Sequence, residues 1–274
     1  MKNIIVPTDF SQTAKNCARY AIEFAKFVQA DRLILFNAYS MPLATEMSWA
    51  IIQTEELQKM SEDSLEAEKV ELQALAPGLR IDVVSEFGFL QDTIQDVVEE
   101  HKVDLIIMGI SGGGKLEEVL IGSNTTHMVH EVDIPVIIVP PQAKWQPVEK
   151  IGWANDFKKA MQTSPVEKIR KFVHLLHAQL IVVYNDKGKD FSPEVLHGNV
   201  QVQEIFKELN PQYIFTREDD FKDAMDAFVE ENHIDMLILI PRKQSWLSSV
   251  FSRSHTKSLA FHTHVPMFCV KEKR

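Results

Sequence analysis

Cysteine is almost absent from this chain of 274 residues, which contains only 2 of them. Cys17 and Cys269 stand near opposite ends of the sequence and match no spacing typical of a metal site or a redox motif. We expect both to be small, buried hydrophobic residues. The sequence therefore predicts neither a cysteine-based metal site nor a redox motif.

Long apolar runs and an excess of positive charge are also lacking. No apolar run approaches the ~20 residues that a membrane helix requires, so we expect no membrane span. Lysine and arginine number 29 against 39 acidic residues, which gives a formal net charge of −10. Nucleic acids and anionic membranes bind concentrated basic surfaces, so we expect neither as a partner. The start MKNIIVPTDF predicts a strand and not a signal peptide, and we expect a soluble, cytoplasmic protein.

Glycine is scarce as well, but half of it is concentrated in one place. Five of the 10 glycines lie between Met108 and Thr126, in the stretch MGISGGGKLEEVLIGSNTT. This stretch continues VDLIIM, an unbroken apolar run that predicts a buried strand. Ligands of open α/β sheets bind where such strands end. The alternatives are therefore a ligand site and a glycine turn that merely connects two elements.

Strand-like apolar runs alternate with amphipathic helical patterns along the chain, which is typical of a parallel sheet built from βαβ units. Helices are predicted in the first half around residues 12–29, 50–75, 90–101 and 123–131. The strands predicted there are Asn3–Val6, Leu33–Ala38, Ile81–Ser85, Leu105–Gly109 and Val136–Val139.

The second half repeats the order of the first. VDLIIM at 103–108 returns as IDMLIL at 234–239, an offset of 131, while RLILF at 32–36 returns as QLIVV at 179–183, an offset of 147. The difference predicts a shortened middle helix region in the second half. We expect an internal duplication with domains at 1–143 and 144–274, joined by the proline-rich PPQAKWQP.

The glycine stretch has the pattern of a phosphate-binding turn followed by a helix N-terminus. Gly109 and Gly112 follow the strand, and Gly122 and Ser123 open the next helix with Ser123 as its N-cap and Thr125 in its first turn. Backbone N–H groups in such a turn, followed by a helix N-terminus, attract anions.

Two common nucleotide motifs fail in this stretch. GISGGGKL nearly matches a P-loop, but Leu116 replaces the Ser or Thr whose hydroxyl would hold Mg²⁺. A dinucleotide G-x-G-x-x-G is broken by Glu117 at its third glycine.

A different spacing is complete. G-x-x-G, nine residues and then G-[ST] occurs as Gly109, Gly112, Gly122 and Ser123, and it resembles the nucleotide motif of the universal stress protein family. The opening IIVPTDFSQTA is similar to that family's first strand and turn. The resemblance is strong over 1–140 and holds in outline over 148–270. It implies an α/β fold of two tandem Rossmann-like (adenine nucleotide alpha hydrolase-like) domains, each a five-stranded parallel sheet of order 3-2-1-4-5 with helices on both faces.

The resemblance also implies a function: a stress-response protein that binds ATP or a related adenine nucleotide, with or without Mg²⁺. Asp9 would contact the nucleoside, and Ala38 would meet adenine through its backbone. We predict no catalytic and no metal-ligating residue. The expected nucleotide-binding residues are Pro7, Thr8, Asp9, Ala38, Met108, Gly109, Ser111, Gly112, Lys115, Gly122, Ser123, Asn124 and Thr125.

Two other functions stay open. An interaction protein of the same fold would bind no nucleotide at all. A slow ATPase or nucleotidyl transferase would need a positioned base, for which the sequence offers only Asp9. The apolar segment Met41–Ile52 is core, a lid over the nucleotide, or a partner surface.

Two expectations concern the relation between the halves. The last strands, VIIV at 136–139 and MFCV at 267–270, are short, apolar and at a sheet edge in the family's topology, so we expect the halves to pair through them. A homodimer remains open. We also expect an empty second half and one nucleotide per chain, because side chains replace the three motif glycines there, at Ile240, Lys243 and Arg253.

Overall fold

The computed structural model describes residues 1–41, 54–110, 123–154, 165–185, 200, 203–216, 221–241 and 265–271. The strands of the first half are β1 (Asn3–Pro7), β2 (Arg32–Tyr39), β3 (Arg80–Phe87), β4 (Leu105–Gly109) and β5 (Val136–Val139). Those of the second half are β6 (Lys150–Ala154), β7 (Gln179–Asn185), β8 (Gln212–Thr216), β9 (Met236–Leu239) and β10 (Met267–Cys269).

The helices follow the strands in the alternating order that the sequence predicts. They are α1 (Gln12–Phe27), α2 (Thr54–Leu75), α3 (Leu90–Glu100), α4 (Ser123–Glu131), α5 (Val166–Leu176) and α6 (Phe221–Asn232), with a 3₁₀ turn at Lys207–Leu209. Within the described parts of the chain, no helix is both long and apolar enough to span a membrane.

The ten strands form one continuous sheet in the order β3-β2-β1-β4-β5-β10-β9-β6-β7-β8. Each half has the order 3-2-1-4-5, and every pair within a half is parallel, which confirms the predicted fold. The two halves join where β5 and β10 pair antiparallel. The expected pairing of the last strands is therefore confirmed, and it fuses two five-stranded sheets into one mixed sheet.

Strand register bears the two sequence offsets out. Ile4 pairs with Leu105 in the first half and Ile151 with Met236 in the second, which are offsets of 147 and 131. The β2–β3 pair matches the β7–β8 pair at offsets of 147 and 130, so the shortening lies between β7 and β8. This is the middle helix region in which the sequence predicts it.

Two buried hydrophobic clusters lie on the two faces of the sheet. One contains the inner residues of α1, α2 and α5, and the other those of α3, α4 and α6. Neighbouring residues of a central strand divide between them, as Ile4 and Ile5 do. Helices thus cover both faces, which explains why the central strands are apolar throughout. Cys17 and Cys269 are buried, and burial raises the pKa of each thiol.

Aromatic rings pack where the halves meet. Phe172 of α5 stacks on Phe268 of β10 with ring centroids 3.5 Å apart. Trp145, in the connection between β5 and β6, packs edge-on against Tyr20 and Phe24 of α1 at 5.3 and 5.4 Å. The connection between the halves therefore packs against α1 of the first half through the ring of Trp145.

Candidate functional site

A cavity of about 220 Å³ opens at the carboxyl ends of β1, β2 and β4. The sheet order places β4 beside β1 but on the side away from β2, so the chain reverses its direction of winding at this point. Ligands of doubly wound sheets bind in the crevice at such a switch point. The topology alone therefore selects this cavity as the candidate site.

Seven of the thirteen predicted nucleotide-binding residues line the cavity: Pro7, Thr8, Asp9, Ala38, Met108, Gly109 and Asn124. Ser123 begins α4 but does not line the cavity. Thr125 is fully buried, and its hydroxyl has no hydrogen-bond partner among the described residues. The other four, Ser111, Gly112, Lys115 and Gly122, lie outside the described residues.

Asp9 stands in a tight turn between β1 and α1. Its Oδ1 accepts a hydrogen bond from Ser11 N at 3.0 Å, and Phe10 between them has a φ of +62°. Ser11 then caps α1 by accepting a hydrogen bond from Ala14 N at 3.2 Å. The Asp9 side chain is exposed and lines the cavity, so its carboxylate is accessible to a ligand.

A buried polar network lies behind the turn. The Thr8 hydroxyl donates to Glu68 Oε2 at 3.1 Å, and Asn37 Nδ2 donates to the Thr8 carbonyl at 2.7 Å. Ser61 connects Asn37 Oδ1 to Ser85 through contacts of 2.7 Å each. These bonds join the ends of β1, β2 and β3 to α2, so the wall of the cavity is tied to the helix behind it.

Glu68 is the buried acid in this network. Only 4% of its surface is exposed, and its Oε1 has no hydrogen-bond partner among the described residues. Burial raises the pKa of its carboxyl group, and the hydrogen bond from Thr8 opposes that shift. A carboxyl group with a raised pKa is therefore hydrogen-bonded to Thr8, one of the residues that line the cavity.

Gly109 is at the end of β4, where the sequence predicts a contact with phosphate. A Cβ at this position would lie 3.1 Å from Thr13 Cγ2, 3.3 Å from the Thr13 carbonyl and 3.4 Å from Cys17 Cβ. The close approach of α1 to β4 thus gives a second, purely structural reason for glycine here.

The described lining of the cavity is polar but nearly uncharged. Asp9 is its one acidic or basic side chain; the others are hydroxyl, amide, glycine and apolar residues. No group of three or more His, Cys, Asp or Glu suited to a metal ion occurs among the described residues. Such a lining suits a neutral ligand portion with apolar faces and hydrogen-bonding edges.

Sequence reasoning missed ten of the seventeen residues that line the cavity. The unanticipated residues come from the start of α1, from the end of β2, from the loop between β3 and α3, and from the first turn of α3. The signal for that loop is Gly88, a glycine between a predicted strand and a predicted helix, which has a φ of +139°. These residues are Ser11, Thr13, Ala14, Phe36, Asn37, Ser40, Gly88, Phe89, Leu90 and Gln91.

Comparison with known proteins gives a consistent result. The sequence model of the universal stress protein family matches residues 1–140. A universal stress protein of Methanocaldococcus jannaschii is 31% identical over 146 residues, which are 52% of this chain and 84% of that protein. The crystal structure of a universal stress protein from Archaeoglobus fulgidus is 20% identical, with a TM-score of 0.69 over 98% of this chain and 96% of that chain. Another universal stress protein, solved in complex with cAMP, is 22% identical over 50% of this chain and 96% of that chain, with a TM-score of 0.40.

Proposed function

The chain belongs to the universal stress protein family, and from this premise we propose that its first half binds ATP or a related adenine nucleotide. The observation that carries the proposal is the cavity at the switch point of the sheet. It is lined by seven of the residues that the family resemblance implies, among them Asp9, Ala38 and the motif glycine Gly109. A pocket that coincides with residues expected from the sequence is stronger support than either alone.

The described walls of the cavity suit the nucleoside part of the ligand. Asp9 can accept hydrogen bonds from ribose hydroxyls or from an amino group, since an ionised carboxylate is an acceptor only. The same carboxylate would repel phosphate. Ala38, at the end of β2, offers backbone groups to the edge of adenine. We therefore assign the base and the sugar to the side of the cavity that β1 and β2 form.

The phosphates would extend toward the other side. Gly109 ends β4 at the cavity, and Asn124 lines the cavity from the first turn of α4. A helix N-terminus of this kind favours anions because its N–H groups carry partial positive charge. Between these elements the motif supplies Ser111, Gly112, Lys115, Gly122 and Ser123, which we propose hold the phosphates, with or without Mg²⁺.

We propose that the second half carries no nucleotide. Ile240 corresponds to Gly109 at the offset that the strand register supports, and its side chain is buried in the core. The second half therefore lacks the first glycine of the motif, and a side chain packed in the core takes its place. Lys243 and Arg253, the other two replacements, lie outside the described residues. The proposed role is then that of a one-site nucleotide-binding protein of the stress response, and not of a catalyst.

Calorimetry on protein stripped of bound nucleotide tests the proposal. Four or five hydrogen bonds to phosphate, less the cost of association, correspond to a dissociation constant near micromolar. Absence of heat with millimolar ATP would overturn the proposal. Mass spectrometry of small molecules released from the purified protein identifies which nucleotide is carried from the cell.

A further inference from the structure

The loop between β3 and α3 places an exposed aromatic ring at the cavity. Phe89 lines the cavity, and 58% of its surface is exposed. Among the described residues, several large hydrophobic side chains are exposed, but Phe89 is the one of them that lines this cavity. Aromatic rings offer a large flat face for stacking. The ring is therefore placed where it can cover a planar ligand.

Phe89 also occupies a position at which a helix favours other residues. It is the N-cap of α3, and no side-chain hydrogen bond caps the helix there. At the same position of α1, Ser11 accepts a hydrogen bond from Ala14 N. Ser, Thr, Asp and Asn are preferred as N-caps because their side chains accept from the first turn, which Phe cannot do. A local rule broken at the rim of a ligand cavity indicates a functional reason for the side chain.

The backbone that carries the ring is fixed. Gly88 N donates to the Tyr39 carbonyl at 2.8 Å, and the Phe89 carbonyl accepts from Asp92 N at 2.9 Å and from the Thr93 hydroxyl at 3.1 Å. Gly88 has a φ of +139°, and a Cβ there would lie 2.9 Å from Thr93 Cγ2, so the turn requires glycine. A fixed backbone lowers the entropy that the ring loses when it contacts a ligand.

We propose that Phe89 stacks on the base of the bound nucleotide and is a determinant of affinity for it. The inference rests on the proposed function, in which adenine lies beside Ala38. Ala38 and Phe89 line the same cavity, and the strand that leads to Phe89 pairs with β2 from Arg32 to Tyr39. Stacking on an aromatic side chain tolerates any base because every base has a π face. Phe89 thus contributes affinity for purine rings, while edge contacts at β2 select among them.

Alanine substitution with a matched control tests this inference. Phe89→Ala should weaken ATP binding about 5- to 150-fold, the range that stacking on one base supports. Phe87→Ala is the control, because Phe87 is similarly exposed and only two residues away but does not line the cavity. Its affinity for ATP should equal that of the unchanged protein. Equal affinity of Phe89→Ala and the unchanged protein would overturn the inference and leave the proposed function standing.

A tryptophan variant gives a second readout that does not depend on loss of binding. Phe89→Trp should keep the affinity for ATP and should show fluorescence quenching by ATP beyond that of the unchanged protein, because its indole would stack on the base. Absence of that extra quenching at saturating ATP would refute stacking, even if Phe89→Ala fails to fold. If the unchanged protein binds no ATP in calorimetry, the proposed function itself fails and this inference fails with it.

Discussion

Asp104 and Asp235 make the same pair of hydrogen bonds in the two halves of the molecule. Asp104 Oδ2 accepts from Lys2 N at 2.7 Å and from Asn3 N at 3.0 Å. Asp235 Oδ2 accepts from Glu149 N and Lys150 N, both at 2.9 Å. Asp104 directly precedes β4 and Asp235 directly precedes β9, the fourth strand of each half. In both halves the carboxylate therefore ties the start of the first strand to the start of the fourth. The duplication therefore extends from the sequence to individual hydrogen bonds.

Removing either carboxylate should destabilise the protein by a similar amount. Hydrogen bonds to charged groups contribute about 1.5–3 kcal/mol each, but Asp104 is exposed and water can replace part of the loss. We expect Asp104→Ala and Asp235→Ala each to lower the free energy of unfolding by about 1–2 kcal/mol in urea denaturation. Asn at either position keeps one acceptor oxygen and should lose less. A variant with the same free energy of unfolding as the unchanged protein would show that these hydrogen bonds do not stabilise the fold.

Asp9 should matter for the ligand more than for the fold. Asp9→Ala should weaken nucleotide binding at least about tenfold, since a hydrogen bond to a charged group is worth roughly 1.5–3 kcal/mol. The matched control is Asp9→Asn, which keeps an acceptor for Ser11 N but loses the charge. Thermal melting without ligand should shift little in both variants. A large loss of stability without ligand would instead identify Asp9 as a structural cap of the turn.

Glu68 should make stability depend on pH in a direction opposite to that of a salt-bridged acid. Its folded-state pKa is raised, so the folded protein holds the proton more tightly than the unfolded chain does. The stability that the protonated form contributes is fully present below the ordinary glutamate pKa. It is lost as pH rises through the raised pKa, at about 1.4 kcal/mol per pKa unit of elevation.

Glu68→Gln removes this titration and keeps an acceptor for the Thr8 hydroxyl. Its free energy of unfolding, relative to that of the unchanged protein, should therefore increase from pH 4 to pH 8. Glu62→Gln, an exposed position on the same helix, is the control and should show little such trend. A relative stability of Glu68→Gln that stays flat with pH would mean that burial does not raise this pKa.

The elements of this fold are predictable where one face or both faces of an element are apolar. Ile4, Ile5 and Val6 are all buried because helices cover both sides of β1, so an unbroken apolar run identifies the strand. The register follows because the sequence repeats itself at offsets that the strand pairs preserve. The pairing of β5 with β10 is predictable because both are short apolar strands at a sheet edge, and exposed apolar edges tend to pair.

The candidate site is predictable only in part, for physical reasons. Glu68 lies between Leu65 and Leu72 on the buried face of α2, so helical spacing indicates its side of the helix, but the spacing does not show that a glutamate there has Thr8 as its partner. Phe89 lies in a loop, where the sequence gives no periodicity from which to infer its direction. Gly109 was predicted from a phosphate motif alone, yet its close approach to Thr13 and Cys17 also disfavours a larger side chain. Loss of nucleotide binding in a Gly109→Ala variant would therefore not by itself demonstrate a phosphate contact.

The two halves should remain associated when the chain between them is cut. β5 and β10 are fully buried and pair over three residues, and Phe268, which stacks on Phe172 of its own half, pairs with Ile137 of the first half. A protease site introduced near Gln142 should give two fragments that elute together in size-exclusion chromatography. Phe268→Ala in the cut chain should weaken their association, because removing a buried aromatic ring costs about 3–5 kcal/mol. Fragments that separate as stable monomers would contradict the prediction.

One nucleotide should bind per chain, in the first half. The register that matches β4 with β9 places Ile240 where the first half has Gly109, and only 3% of Ile240 is exposed. A helix N-terminus without a glycine turn contributes only ~0.3–1 kcal/mol toward an anion, which cannot hold a nucleotide alone. Titration calorimetry should therefore give a stoichiometry near one, and Asp9→Ala should weaken that single site. A stoichiometry of two would place a nucleotide in the second half and contradict the prediction.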